Sequence, residues 1–248
     1  MEKELTIDIL SSVQKPARYT GGEWGQIIKN KEDVRVRVAF CFPDTYEIGM
    51  SNLGMRLLYG ALNAHPDIWC ERVFTPWTDM QEKMREHDLP LTALESGDPL
   101  SDFDFIGFTL QYEMAYTNIL NMLNLAGVPL RSKDRKDLSP LVVAGGPCAC
   151  NPEPIADFID LFFLGEGEEV DLEVIDLYKK FKAQGINDKQ KFLLEASKIE
   201  GVYVPSLYDV KYDSTGKIIE YIPKNEAPFP IKKRVMTDMD KSYYPENI

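Results

Sequence analysis

The chain has 248 residues, 44% of them hydrophobic, and carries a net charge of −12. Such a length and composition suit one large globular domain with appendages and can bury a sizeable core. The negative charge argues against strong binding of nucleic acid or anionic membrane, whose phosphates would be repelled. No apolar run approaches the roughly 20 residues needed to span a bilayer, and the opening is acidic and mixed, unlike a secretory leader. A cytoplasmic location is the expectation. The four cysteines, Cys41, Cys70, Cys148 and Cys150, are then expected to be reduced, and their spacing offers no structural zinc site.

Residues 1–33 read as an N-terminal arm: a short helix over 6–13, then turn formers through Lys15-Pro16 and Gly21-Gly22. The main domain is expected over 34–200. Val34 to Phe42 predicts a first strand, alternating at its start and continuously apolar from Val38, as in a parallel strand covered on both faces. Pro43 ends it. Ser51 is a candidate N-cap for a helix whose stripe is Leu53, Leu57, Leu58, Ala61 and Leu62.

Further strands are predicted over 68–74, 103–110, 141–144 and 161–164. Helices are predicted over 78–87, 113–126 and 169–181. Alternating strands and helices imply a parallel sheet with right-handed crossovers. The expected fold class is α/β, a five-stranded parallel sheet with a flavodoxin-like (Rossmann-like) order 2-1-3-4-5. Residues 201–222 alternate as a β-hairpin turning at Asp213 to Gly216. Residues 223–248 read as an extended tail or linker. Lys232-Lys233-Arg234 within it reads as a solvated turn.

In an open parallel sheet, ligands bind beyond the carboxyl ends of the strands. Three loops are expected there: Asp44 to Ser51, Gly145 to Pro154, and Gly165 to Glu168, with Thr109 and Leu110 ending the neighbouring strand. Each residue also has a purely structural reading. Gly49 supplies a turn, Gly145 and Gly146 let a helix approach the sheet, Tyr46 packs, and Glu166 and Glu168 favour a helix N-terminus. Their expected meeting at one edge is what favours function.

These residues carry a resemblance. Asp44-Thr45-Tyr46-Glu47-Ile48-Gly49 resembles the D-x-H-x-x-G motif of cobalamin-binding domains, with Tyr46 at the histidine position. Thr109-Leu110 resembles the later S-x-L element, and Gly145-Gly146 the double glycine. Gly145 to Pro154, an apolar strand and then Gly165-Glu166-Gly167-Glu168 are similar to the GGPH…PE…GEGE pattern of cobalamin-binding-type domains joined to radical S-adenosylmethionine (radical SAM) enzymes. The resemblance covers roughly 34–181. The segment 15–23 and the hairpin with its tail resemble one group of such proteins, in which the barrel follows directly.

The resemblance implies cobalamin as cofactor, held without a histidine ligand to cobalt, since neither His65 nor His87 is expected near the loops. Asp44 would orient the lower-face loop, and Gly49, Gly145 and Gly146 would open a slot for the nucleotide tail. Thr109 would donate to that tail or to a corrin amide. Gly165, Glu166, Gly167 and Glu168 would line the rim, and Cys148 would stand at the corrin edge. Ser51, Leu110 and Pro147 complete the candidate cofactor-binding set, which contains no metal ligand.

Radical SAM chemistry needs a C-x3-C-x2-C triplet for its iron-sulfur cluster, and the chain has none. The cluster, S-adenosylmethionine and the barrel are therefore expected in a C-terminal part beyond Ile248, with that barrel as the partner and 223–248 as the linker to it. This chain alone is not expected to be catalytic. The alternative is an interaction module with a vestigial pocket, docking the barrel or a macromolecular substrate. A stand-alone enzyme using Cys148, Glu166 or Glu168 lacks a histidine placed to activate it, and neither phosphate-binding glycine motif occurs.

Overall fold

The computed structural model describes residues 5–244. The first four residues of the expected arm and the last four of the expected linker lie outside them. The helices are α1 (Ile7–Ser11), α2 (Tyr46–Met50), α3 (Leu53–Asn63), α4 (Thr78–Glu86), α5 (Tyr116–Leu125), α6 (Gly167–Ala183) and α7 (Lys189–Ala196). The strands are β1 (Val36–Phe42), β2 (Ile68–Phe74), β3 (Phe105–Thr109), β4 (Leu141–Gly145), β5 (Leu161–Phe163), β6 (Val202–Tyr203), β7 (Tyr208–Tyr212) and β8 (Ile218–Pro223).

The architecture is mixed α/β, with one mostly parallel sheet ordered β2-β1-β3-β4-β5-β6 and a separate antiparallel pair, β7-β8. The strand count differs from the expected five. Val202 and Tyr203 pair antiparallel with Phe163 and Phe162 and so extend the sheet. The run from Val202 to Tyr212, expected as one hairpin strand, is broken at Pro205, which opens a 3-10 turn and cannot donate to a ladder.

β1 and β3 to β5 are buried almost throughout, as strands covered on both faces must be. The exception in β1 is Arg37, half-buried, whose guanidinium lies 4.2 Å from the Phe103 ring centre and pairs with Glu71 at 2.5 Å and Asp98 at 2.8 Å. At the other side of the sheet, buried Asp160 accepts from the Val142 amide at 2.8 Å, and pairs with Arg135 at 3.0 Å and Lys189 at 2.7 Å. The lysine belongs to α7, which the sequence reading did not foresee.

Two appendages are tied to the domain. In the arm, the Ile27 amide donates to the Tyr59 hydroxyl at 2.8 Å, and Lys29 donates to the carbonyls of Asn63 and His65. The expected extended tail instead folds back. Phe229 stacks on Tyr221 of β8 at 6.3 Å, and Arg234 forms a parallel bridge with Gly165.

Candidate functional site

The parallel registers of β1, β3, β4 and β5 bring their carboxyl ends to one edge of the sheet. Behind that edge lies a cavity of about 330 Å³ between one sheet face and the helices α3 and α6. Its sheet wall includes Phe40, Phe105, Gly107 and Val143, and its helix wall Leu58, Leu62, Val174 and Ile175. Thr109, Gly145, Gly146, Pro147, Gly165 and Gly167 also line it.

The missing side chain of Gly107, in mid-strand, helps leave the space. A Cβ there would make only ordinary contact, 3.5 Å from Val143 Cγ2. Gly146 has a different task. Its φ is +103°, and a Cβ would come within 3.0 Å of the Leu110 backbone. The loop after β4 can therefore cross tightly over the end of β3 only with glycine there. That crossing is sealed by Leu110 N–H donating to the Gly145 carbonyl at 2.7 Å and Cys148 N–H donating to the Leu110 carbonyl at 3.0 Å.

One acid stands in this largely apolar lining. Asp171 of α6 presents Oδ1 with no solvent contact and no hydrogen-bond partner among the described residues. Burial, with Glu168 beside it, pushes its pKa up to about 8. This shift favours the neutral carboxylic acid, which can both donate and accept.

Over residues 54–205, more than half of the chain, the sequence matches the family described as radical SAM proteins, N-terminal. The chain belongs to that family. An uncharacterized protein of Methanocaldococcus jannaschii is 31% identical over 175 residues, which cover 68% of this chain and 32% of the relative. This radical SAM N-terminal chain thus spans about a third of that relative's length. A D-alanyl-alanine synthetase A from Vibrio cholerae aligns over 75% of this chain and 65% of its own, at 14% identity and a TM-score of 0.26, a likeness that carries no argument. The family match takes in β2 to β6 and α6 with Asp171, and leaves out β1 and the loop Asp44 to Ser51.

Within this radical SAM N-terminal domain the sequence-predicted residues divide. Thr109, Gly145, Gly146, Pro147, Gly165 and Gly167 line the cavity, and Asp44, Tyr46, Gly49, Ser51, Leu110, Cys148, Glu166 and Glu168 do not. Asp44 Oδ1 accepts from the Thr45 amide at 2.7 Å. Tyr46 meets Phe74 edge-on at 5.4 Å, and burial raises its phenol pKa with Glu23 adding to the effect. Gly49 is buried against Phe74.

Ser51 does not cap α3. Asn52 does, its side chain accepting from the Met55 amide at 2.9 Å, while Ser51 closes α2 by donating to the Ile48 carbonyl. The segment after β1 was expected as a loop up to Ser51, and the extra helical turn α2 inside it shifts the cap by one residue. Glu166 is engaged by the tail, accepting from the Met236 amide.

Cys148 is half-buried, and burial together with Glu113 raises its thiol pKa, which is the wrong direction for a nucleophile. His65 follows α3 in the turn into β2, and His87 caps α4. Neither histidine lines the cavity. Among the described residues no group of three or more His, Cys, Asp and Glu is placed to hold a metal ion, and no helix is long and apolar enough to cross a membrane.

The sequence reading missed Gly107, Asn52, Gln111 and Asp171. Two signals were present. A glycine inside an apolar strand marks a close approach, and Asp171 falls on the helical spacing of Val174, Ile175 and Tyr178, an inward face.

Proposed function

We propose that this domain binds a corrinoid for a radical SAM protein, with the nucleotide tail in the cavity and the corrin ring on the rim above it. The supporting observation is the cavity itself. It opens at the strand ends between the loops after β3, β4 and β5, is walled by glycines where a ligand must come close, and lies within the roughly 300–1,000 Å³ of small-molecule sites. Its apolar walls suit the flat base of a nucleotide tail. Gly107, Gly145 and Gly146 would hold that tail, with Thr109 at the mouth. Thr109 Oγ1 accepts from Gln111 Nε2 at 2.6 Å, which orients its hydroxyl.

Bound there, a corrinoid supplies a cobalt centre suited to methyl transfer. With tyrosine in place of histidine at 46, and that ring against Phe74, the protein would grip the ligand by its tail and ring edge. A C-terminal radical SAM barrel of the same protein would meet the exposed face. Mixing the chain with hydroxocobalamin, removing free ligand and recording the visible spectrum tests this. Retained corrin absorbance is expected, and its absence overturns the reading.

A second reading is favoured by the rim. Ile48, Leu53, Tyr112 and Met114, in the segments after β1 and β3, are exposed apolar side chains, Met114 at 83%. On this reading the domain docks a barrel through that apolar surface and holds no cofactor, and the same spectrum separates the two.

A further inference from the structure

We propose that Asp171 selects the buried end of the cavity's ligand, by hydrogen bonding to a ring nitrogen of an uncharged, planar heteroaromatic group. This rests on the reading of the cavity as a ligand site, though not on the ligand being a corrinoid.

Three observations carry it. Asp171 is half-buried and lines the cavity, and its Oδ1 is out of solvent with no hydrogen-bond partner among the described residues. Buried polar groups left without a partner are rare and costly, so a ligand that bonds to this carboxyl offsets that cost. Apart from Asn52, Thr109 and Gln111, the remaining walls are apolar and rich in rings, among them Phe40, Phe105, Phe108 and Phe163, which favours a flat, largely apolar occupant.

The charge state follows from the surroundings. The titratable neighbours are Glu168 on the same helix and the buried Cys70 of β2, whose thiol burial holds neutral. The wall that α3 presents beside Asp171 is Leu58. No cation is among these groups, so burial and Glu168 favour the protonated form of Asp171, which offers an O–H donor. A cationic ligand would have to shed its water into apolar walls, whereas a neutral ring nitrogen loses little and accepts the proton's hydrogen bond.

The test measures binding of benzimidazole, indole and benzylammonium to the 248-residue chain by calorimetry. Indole has the same shape as benzimidazole and lacks the acceptor nitrogen. Benzimidazole is expected to bind at least about tenfold tighter than indole, because a site built around a hydrogen bond rejects the analogue that cannot form it. Asp171→Leu should bring that ratio close to one. Asp171→Asn, which still donates, should keep part of it. Binding of benzimidazole should weaken as pH rises past about 8.

Equal binding of benzimidazole and indole, a ratio unchanged in Asp171→Leu, or tighter binding of benzylammonium would each overturn the proposal. Thermal melting checks that both variants fold. Corrinoid retention with a flat ratio sinks the role of Asp171 and leaves the corrinoid reading standing. An Asp171-dependent ratio without corrinoid retention does the reverse.

Discussion

The backbone of Arg234 lies directly against Gly165. The Arg234 amide donates to the Leu164 carbonyl at 2.7 Å, the Glu166 amide donates to the Arg234 carbonyl at 3.3 Å, and a Cβ on Gly165 would stand 2.1 Å from that carbonyl oxygen. The tail thereby becomes part of the rim beside the cavity.

Gly165→Ala should therefore expel the tail from its seat. The position has φ +115° and no room for a methyl group, and a loss of about 1–3 kcal/mol is expected. Faster hydrogen exchange at the amides of Arg234 and Met236 would show the release. Arg234→Ala should cost less, about 0–1 kcal/mol, since its pairs with Glu169 and Glu173 lie near the surface.

Filling the cavity separates ligand binding from folding. Gly107→Val places a β-branched side chain on a strand that favours it, where the first added carbon meets only ordinary contact. The melting temperature should stay within a few degrees of wild type, and retention of hydroxocobalamin should be lost. A variant that retains the corrinoid would place it elsewhere.

Asp160 is a structural acid, in contrast to Asp171. It is buried and answered by Arg135, Lys189 and the Val142 amide. Asp160→Ala strands two buried cations and should cost about 3–5 kcal/mol in urea denaturation. A loss under about 1 kcal/mol would mean that water reaches the cations.

The pH dependence of stability should carry the mark of Asp171. Its pKa is about 8 in the folded chain against an ordinary value of 3.8. Between these values the unfolded chain releases the proton and the folded chain keeps it. Stability then falls as pH rises from 3.8 to about 8, and levels off above. Asp171→Leu removes this slope, so its advantage over wild type should widen from pH 5 to pH 8 in thermal melts. Parallel profiles would show that Asp171 is solvated.

Much of this was legible in the chain itself. The apolar run from Val38 was continuous enough to specify a strand covered on both faces, and 103–110 and 141–144 read as further strands. Glycine and proline at 127 and 129 marked the end of α5. The glycines at 145, 146, 165 and 167 announced the loops that reach the cavity, and at 146 and 165 the positive φ and the neighbouring backbone leave little room for any other residue.

Local sequence determined the strand-helix alternation and the identity of those loops, since periodicity and turn chemistry act over a few residues. Only the tertiary structure decided that β6 extends the sheet, that the tail returns from Phe229 to Gly165, and that Asp171 lines the cavity with a buried, unpaired oxygen among the described residues. Each of these depends on partners far away in the chain. Whether a polar group is satisfied is a property of its surroundings in space, which no local pattern encodes.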